Sequence, residues 1–88
     1  MFTSWGTETA KKFTEEQIRS ILSSFADSEK VGLVLRAKGI VAAEDGWIHF
    51  DFVPEEIDVR RGPADYTGRI CVIGSKLKEE ELKNLFGV

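Results

Sequence analysis

The stretch Val31-Gly32-Leu33-Val34-Leu35-Arg36-Ala37-Lys38-Gly39-Ile40-Val41 constrains the fold more than any other part of the chain. It is apolar, rich in β-branched residues and long enough to cross a small domain, so it reads as a central strand. Arg36 and Lys38 stand two residues apart in its middle and therefore leave the same face of that strand. Glu44-Asp45-Gly46 follows, and Asp45-Gly46 is a strong two-residue hairpin signal. Taking it as the turn sets Glu44 opposite Trp47, Ala42 opposite His49 and Ile40 opposite Asp51, with Val41 beside Phe50 and Gly39 beside Phe52. Val31, Leu33, Leu35, Ala37, Val41, Ala43, Ile48, Phe50 and Phe52 then share one wholly apolar face. A slip of one residue would mix them with charges. The other face carries Val34, Arg36, Lys38, Ile40, Ala42, Trp47, His49, Asp51 and Val53.

The remaining elements arrange themselves around this hairpin. Phe2–Gly6 is a short strand candidate with aromatic and β-branched residues. Thr14 with Gln17 three residues on predicts a capping box, and Phe13 and Ile18 occupy the staple positions around it. Ile18, Ile21, Leu22 and Phe25 continue as one helical stripe. Glu56–Arg60 alternates strictly and predicts a half-exposed strand. Arg61–Gly68 holds Gly62, Pro63 and Asp65 and predicts the longest loop. Arg69–Gly74 is nearly continuously apolar, which predicts an interior strand covered on both sides. A last helix follows, with Glu79, Glu80 and Glu81 at its start, a Leu82, Leu85, Phe86 stripe, and Gly87 as a left-handed cap. Leu77 and Leu82 suit a second staple, and both helices are expected to be fully capped. The expectation is one two-layer α+β domain, in the order β-α-β-β-β-β-α, with both helices on one face of a mixed sheet. Pattern alone does not set the strand order.

Composition narrows the function. Eighty-eight residues with a formal charge of −3 weigh against nucleic acid, which calls for a basic face. No apolar run approaches the roughly 20 residues that span a bilayer, so no membrane is expected. The single Cys71 excludes an internal disulfide and any Cys-rich zinc site, is compatible with the cytoplasm, and is expected to be buried as a small hydrophobe. His49 and Asp51 share a strand face but lack a third ligand, so no metal is expected. Asp51 is expected to pair diagonally with Lys38 instead. There is no phosphate-binding glycine loop and no nucleophile–base motif, so no catalytic residue and no cofactor are expected in this chain. The residues Arg36, Lys38, Trp47, His49 and Asp51, interleaved with Val34 and Ile40, form a charged and apolar patch of the kind that meets a partner. A sheet face that holds single-stranded RNA or a small ligand is the alternative.

Leu35-Arg36-Ala37-Lys38-Gly39 resembles the R-x-K-G signature of the C-terminal domain of CobW-type GTPases. Ser4-Trp5, Phe13-Thr14, Trp47-Ile48-His49-Phe50-Asp51-Phe52-Val53-Pro54-Glu55 and Gly68–Gly74 continue the likeness over nearly the whole chain. The family is linked to cobalamin synthesis and metal delivery. The resemblance implies an accessory domain in the cytoplasm that contacts an N-terminal GTPase domain or a metalloprotein client and is not catalytic by itself. GTP, magnesium and a transition metal are implied for the parent GTPase, whose nucleotide loop and Cys-x-Cys-Cys motif have no counterpart among these residues.

Overall fold

The computed structural model describes residues 1–88 as β1 (Thr3–Thr9), α1 (Glu15–Ser24), α2 (Ser28–Val31), β2 (Leu33–Ala43), β3 (Gly46–Val53), β4 (Glu56–Arg61), β5 (Gly68–Ser75) and α3 (Glu79–Phe86). The two-layer α+β arrangement is present, built on one five-stranded sheet in the order β1-β5-β2-β3-β4. All four ladders are antiparallel, which corrects the expectation of a mixed sheet. The reason is topological. β1 and β2 do run parallel, but the crossover between them leaves one strand position open, and β5 returns to fill it antiparallel to both.

α1 starts as its sequence dictates. Thr14 Oγ1 accepts from the Gln17 amide at 3.1 Å, and Gln17 Oε1 accepts from the Thr14 amide at 2.8 Å. These two bonds satisfy two of the amides a helix start leaves free. Ile18, Ile21 and Leu22 point into the core. α3 ends on Gly87 in the left-handed region, as expected, but its N-cap is Lys78, which makes no side-chain cap bond. The expectation of two complete caps is therefore corrected. Glu79, Glu80 and Glu81 complement the bare amides electrostatically instead. Leu77, one residue ahead of that cap, packs against the core, as does Leu82.

Phe86 is the centre of the buried cluster. Its ring lies 6.1 Å from Trp5, 6.3 Å from Phe13, 6.2 Å from Phe25 and 6.3 Å from Phe50, centroid to centroid. It thus joins β1, the α1 entrance and exit, β3 and α3 in one apolar contact. No polar or charged side chain is buried.

The β2–β3 hairpin turns at Glu44-Asp45, one residue earlier than expected, so that Ala43 pairs with Gly46, Val41 with Ile48 and Gly39 with Phe50. Each partner shifts by two positions. Because side chains alternate with period two, every residue of the hairpin proper keeps its face. The strand's first third does not. Val31 belongs to α2, and Gly32, at φ 90°, leads into β2; a Cβ there would collide with the Lys76 carbonyl. A bulge then falls between Val34 and Arg36, which pair with the adjacent residues Gly74 and Ile73. The extra residue, Leu35, reverses the alternation. Val34 is buried, whereas Leu33 is 50% exposed and Leu35 is half-buried, opposite to the expected partition. β1 also begins later and runs longer than Phe2–Gly6. β5 is interior, as expected, but only one of its faces is covered: Ile70 and Val72 are buried while Arg69 and Ile73 are exposed. No helix is long and apolar enough to cross a membrane.

Candidate functional site: the open sheet face

Both long helices pack on one side of the sheet, so its other face stays open. The strand registers lay the residues of this face out in rows. One row runs Gly6, Cys71, Lys38, Asp51, Asp58 from β1 to β4. The next runs Glu8, Arg69, Ile40, His49, Arg60. Arg36 and Ile73 pair in the row on the other side of Lys38. Arg36, Lys38, His49 and Asp51 are thus brought together, as the sequence led one to expect. Trp47 shares the face in the row beyond His49, four residues before Asp51 on β3 and roughly 13 Å from it along the strand, half-buried beside Gly62 and Arg61. Val34 is absent, drawn into the core by the bulge.

Asp51 is the hub of the charges. Its Oδ1 lies 3.7 Å from Arg36 Nη2, and its Oδ2 accepts from Arg60 Nη1 at 3.0 Å. Arg60 Nη1 also donates to Asp58 at 2.5 Å. The Asp51 hydrogen bond is the main cause holding the Arg60 guanidinium above its ordinary pKa. The expected Asp51–Lys38 pair is therefore absent although the two residues face each other in register. Two arginines have taken both carboxylate oxygens, and guanidinium makes the better-directed pair. Lys38 is left without an ion pair or hydrogen bond.

The β4–β5 connection, residues 62–67, closes one end of the face. His49 donates through Nε2–H to the Pro63 carbonyl at 2.8 Å. Because a carbonyl only accepts, this bond sets the tautomer of the ring. A Cβ at Gly62 would come within 2.6 Å of that ring, so the backbone lies directly on the imidazole. Farther along, Asp65 accepts from Arg69 Nη2 at 2.7 Å and from the Tyr66 amide at 2.7 Å. Arg69, and after it the Tyr66 amide, hold the Asp65 carboxyl below the usual carboxylate range. The Tyr66 ring is 5.4 Å from the Arg69 guanidinium carbon.

Between this loop and β1 the face dips into a half-open concavity of about 730 Å³, whose lining includes Gly6, Lys38, Ile40, His49, Asp51 and Cys71. Cys71 is a free thiol on the open face, half-buried, and this corrects the expectation that it is buried in the core. Sequence reasoning did not include Arg60, Asp65, Arg69 or Ile73 in the site. The alternation of Glu56–Arg60 could have placed Arg60 beside Asp51. Arg69 and Ile73 required the strand order.

Comparison with known proteins bears on the family and the fold. The family model described as "Cobalamin synthesis protein cobW C-terminal domain" matches residues 2–88. A crystal structure of Zn(II)-bound YjiA GTPase from E. coli superposes with a TM-score of 0.78 at 19% identity, over 98% of this chain and 29% of that one. A Zn(II)-bound triple mutant of YjiA GTPase superposes equally well, at 18% identity and with the same coverage. The chain thus spans about 29% of the length of the solved proteins it resembles. No curated protein sequence matches significantly.

Proposed function

The chain belongs to the cobalamin synthesis protein cobW C-terminal domain family, and from that premise we propose that it is the accessory interaction domain of a CobW-like GTPase engaged in metal delivery or cobalamin synthesis. In this reading the GTPase centre, with its GTP, magnesium and transition metal, lies outside these residues, and the domain contributes contacts rather than catalysis. The open sheet face is the contact surface. It meets either the GTPase domain of the same protein or a metalloprotein client.

One observation carries the reading. Ile73 (40%) and Val53 (38%) are exposed on a face where Arg36 and Arg60 are already tied together by Asp51. Leaving these side chains in water stabilises nothing, whereas covering them contributes about 25 cal/mol per Å² of apolar area. The Arg36–Asp51–Arg60 network would set orientation more than strength. With the two arginines neutralised by carboxylates, Lys38 is left as a single free cation beside them, which argues against a phosphate-backbone partner that would need several.

The reading is tested by calorimetric titration of the 88-residue chain with a separately produced GTPase domain of the parent protein, and with Ile73→Asp in place of the native chain. Association of the native chain, weakened at least tenfold by Ile73→Asp at unchanged melting temperature, supports it. Equal affinity for both chains would place the contact elsewhere.

A further inference from the structure

The concavity on the open face has the makings of a ligand site in its own right. Its lining gathers Gly6, Lys38, Ile40 and Cys71, flanked by His49 and by the loop held through Asp65 and Arg69. At about 730 Å³ it falls in the size range of small-molecule sites. The floor is apolar. Ile40 and Cys71 are half-buried there, and Gly6, opposite Cys71 on β1, adds no side chain to fill the gap.

The charges decide what fits. Asp51 is satisfied by Arg36 and Arg60, and Asp65 by Arg69. The cation left without a partner in the lining is Lys38, because both oxygens of the carboxylate across from it are paired with arginines. A ligand with one negative charge would complete that arrangement. A second negative charge would meet Glu8, which has no ion pair and lines the β1 side of the same concavity. A cation would find no free carboxylate beside Lys38, since Glu8, the unpaired one, lies on β1, two strands away from Lys38 and Ile40. We propose that the concavity binds a small monocarboxylate with an apolar body, its carboxylate on Lys38 Nζ and its body over Ile40 and Cys71 in the space left by Gly6. The site lies within the surface assigned above to a partner but does not depend on that assignment, since the chain alone contains every residue of it.

The test uses the ¹⁵N-labelled chain and three probes of equal shape: 4-phenylbutyrate, 4-phenylbutanol and 4-phenylbutylamine. For a probe of about a dozen heavy atoms in a half-open site, a Kd on the order of 1–10 mM is expected. Saturable amide shifts clustered at Gly6, Lys38, Ile40 and Cys71 are expected for the acid, at least fivefold weaker for the alcohol and weakest for the amine, which Lys38 repels. Lys38→Met keeps the aliphatic stem and should weaken the acid at least fivefold, to the level of the alcohol. Gly6→Val fills the gap. Its Cβ meets nothing closer than the Ile70 carbonyl at 3.4 Å, so the fold, checked in the same spectra, should persist while binding of the acid and the alcohol is lost. No saturable shift, or equal affinity for acid and amine, would overturn the proposal. So would acid binding untouched by Lys38→Met. Failure here leaves the partner reading intact, and failure of the calorimetric titration leaves this one intact.

Discussion

Phe86→Ala should be the most damaging single truncation in the chain. Phe86 is fully buried and its ring contacts four other aromatic rings at centroid distances of 6.1–6.3 Å. Those neighbours come from β1, the segment before α1, the end of α1 and β3, so the void cannot close by moving one element. A rigid site of this kind belongs at the upper end of the roughly 3–5 kcal/mol lost on truncating a core phenylalanine. Losing the edge-to-face and stacked contacts reinforces that placement. A chain of 88 residues is stabilised by about 4–13 kcal/mol in all. The variant should therefore be marginal or unfolded at 25 °C, with a melting temperature lower by at least about 12 °C. Phe86→Leu retains most of the volume and should cost about 1–2 kcal/mol. Urea melts of the three proteins, fitted with a common m-value, provide the measurement. A loss under about 1.5 kcal/mol for Phe86→Ala would mean that α3 is not locked into the core through this ring, and the picture of one aromatic centre would fail.

Three other perturbations probe local features. Thr14→Ala should cost about 1 kcal/mol in the same melts, and Thr14→Ser almost nothing, since only the hydroxyl acceptor to the Gln17 amide is at stake; equal losses would deny the cap. Glu55 holds φ 70° in the Pro54-Glu55 turn, a region costly for residues with a side chain, so Glu55→Gly should raise stability by about 0.5–1 kcal/mol; a loss would show that the Glu55 side chain stabilises the turn. The Asp65 carboxyl is held below its usual range by Arg69 and then the Tyr66 amide. Its contribution is therefore complete above the unfolded carboxylate pKa of about 3.9 and fades as pH falls through the lower folded value. Asp65→Asn should flatten the acid limb of the stability–pH curve below about pH 4, and an unchanged acid limb would contradict the Arg69 contact.

What could be read from residues alone was local or governed by parity. The Thr14–Gln17 box and the Gly87 cap are short-range chemistry, decided within a single turn. The hairpin's core face survived a misplaced turn because a shift of two positions leaves alternation untouched. The bulge at Leu35 was invisible for a related reason. Leu33, Val34 and Leu35 are all apolar, so no pattern marks the residue at which the alternation reverses. The strand order depends on β5 entering between β1 and β2, which is a property of tertiary packing. Ile73, Arg69 and Cys71 could join the open face only once that order existed. Charge pairing was legible only in part. Asp51 and Lys38 do stand opposite each other, but Arg36 competes from the same strand as Lys38, and the competition from Arg60 depends on the neighbouring β4. The loop over His49 looked like an ordinary connection because Gly62 and Pro63 signal a turn without saying which side chain it will cover.

The proposed contact with the parent protein runs through the open sheet face and not through the helical face. Chemical-shift mapping of the ¹⁵N-labelled chain against the separately produced GTPase domain tests it most directly. Perturbed amides should concentrate at Arg36, Lys38, Ile40, Asp51 and Ile73, while those of α1 and α3, which cover the opposite side of the sheet, stay unmoved. Shifts confined to α1 and α3, or an unperturbed open face at saturating GTPase domain, would contradict it.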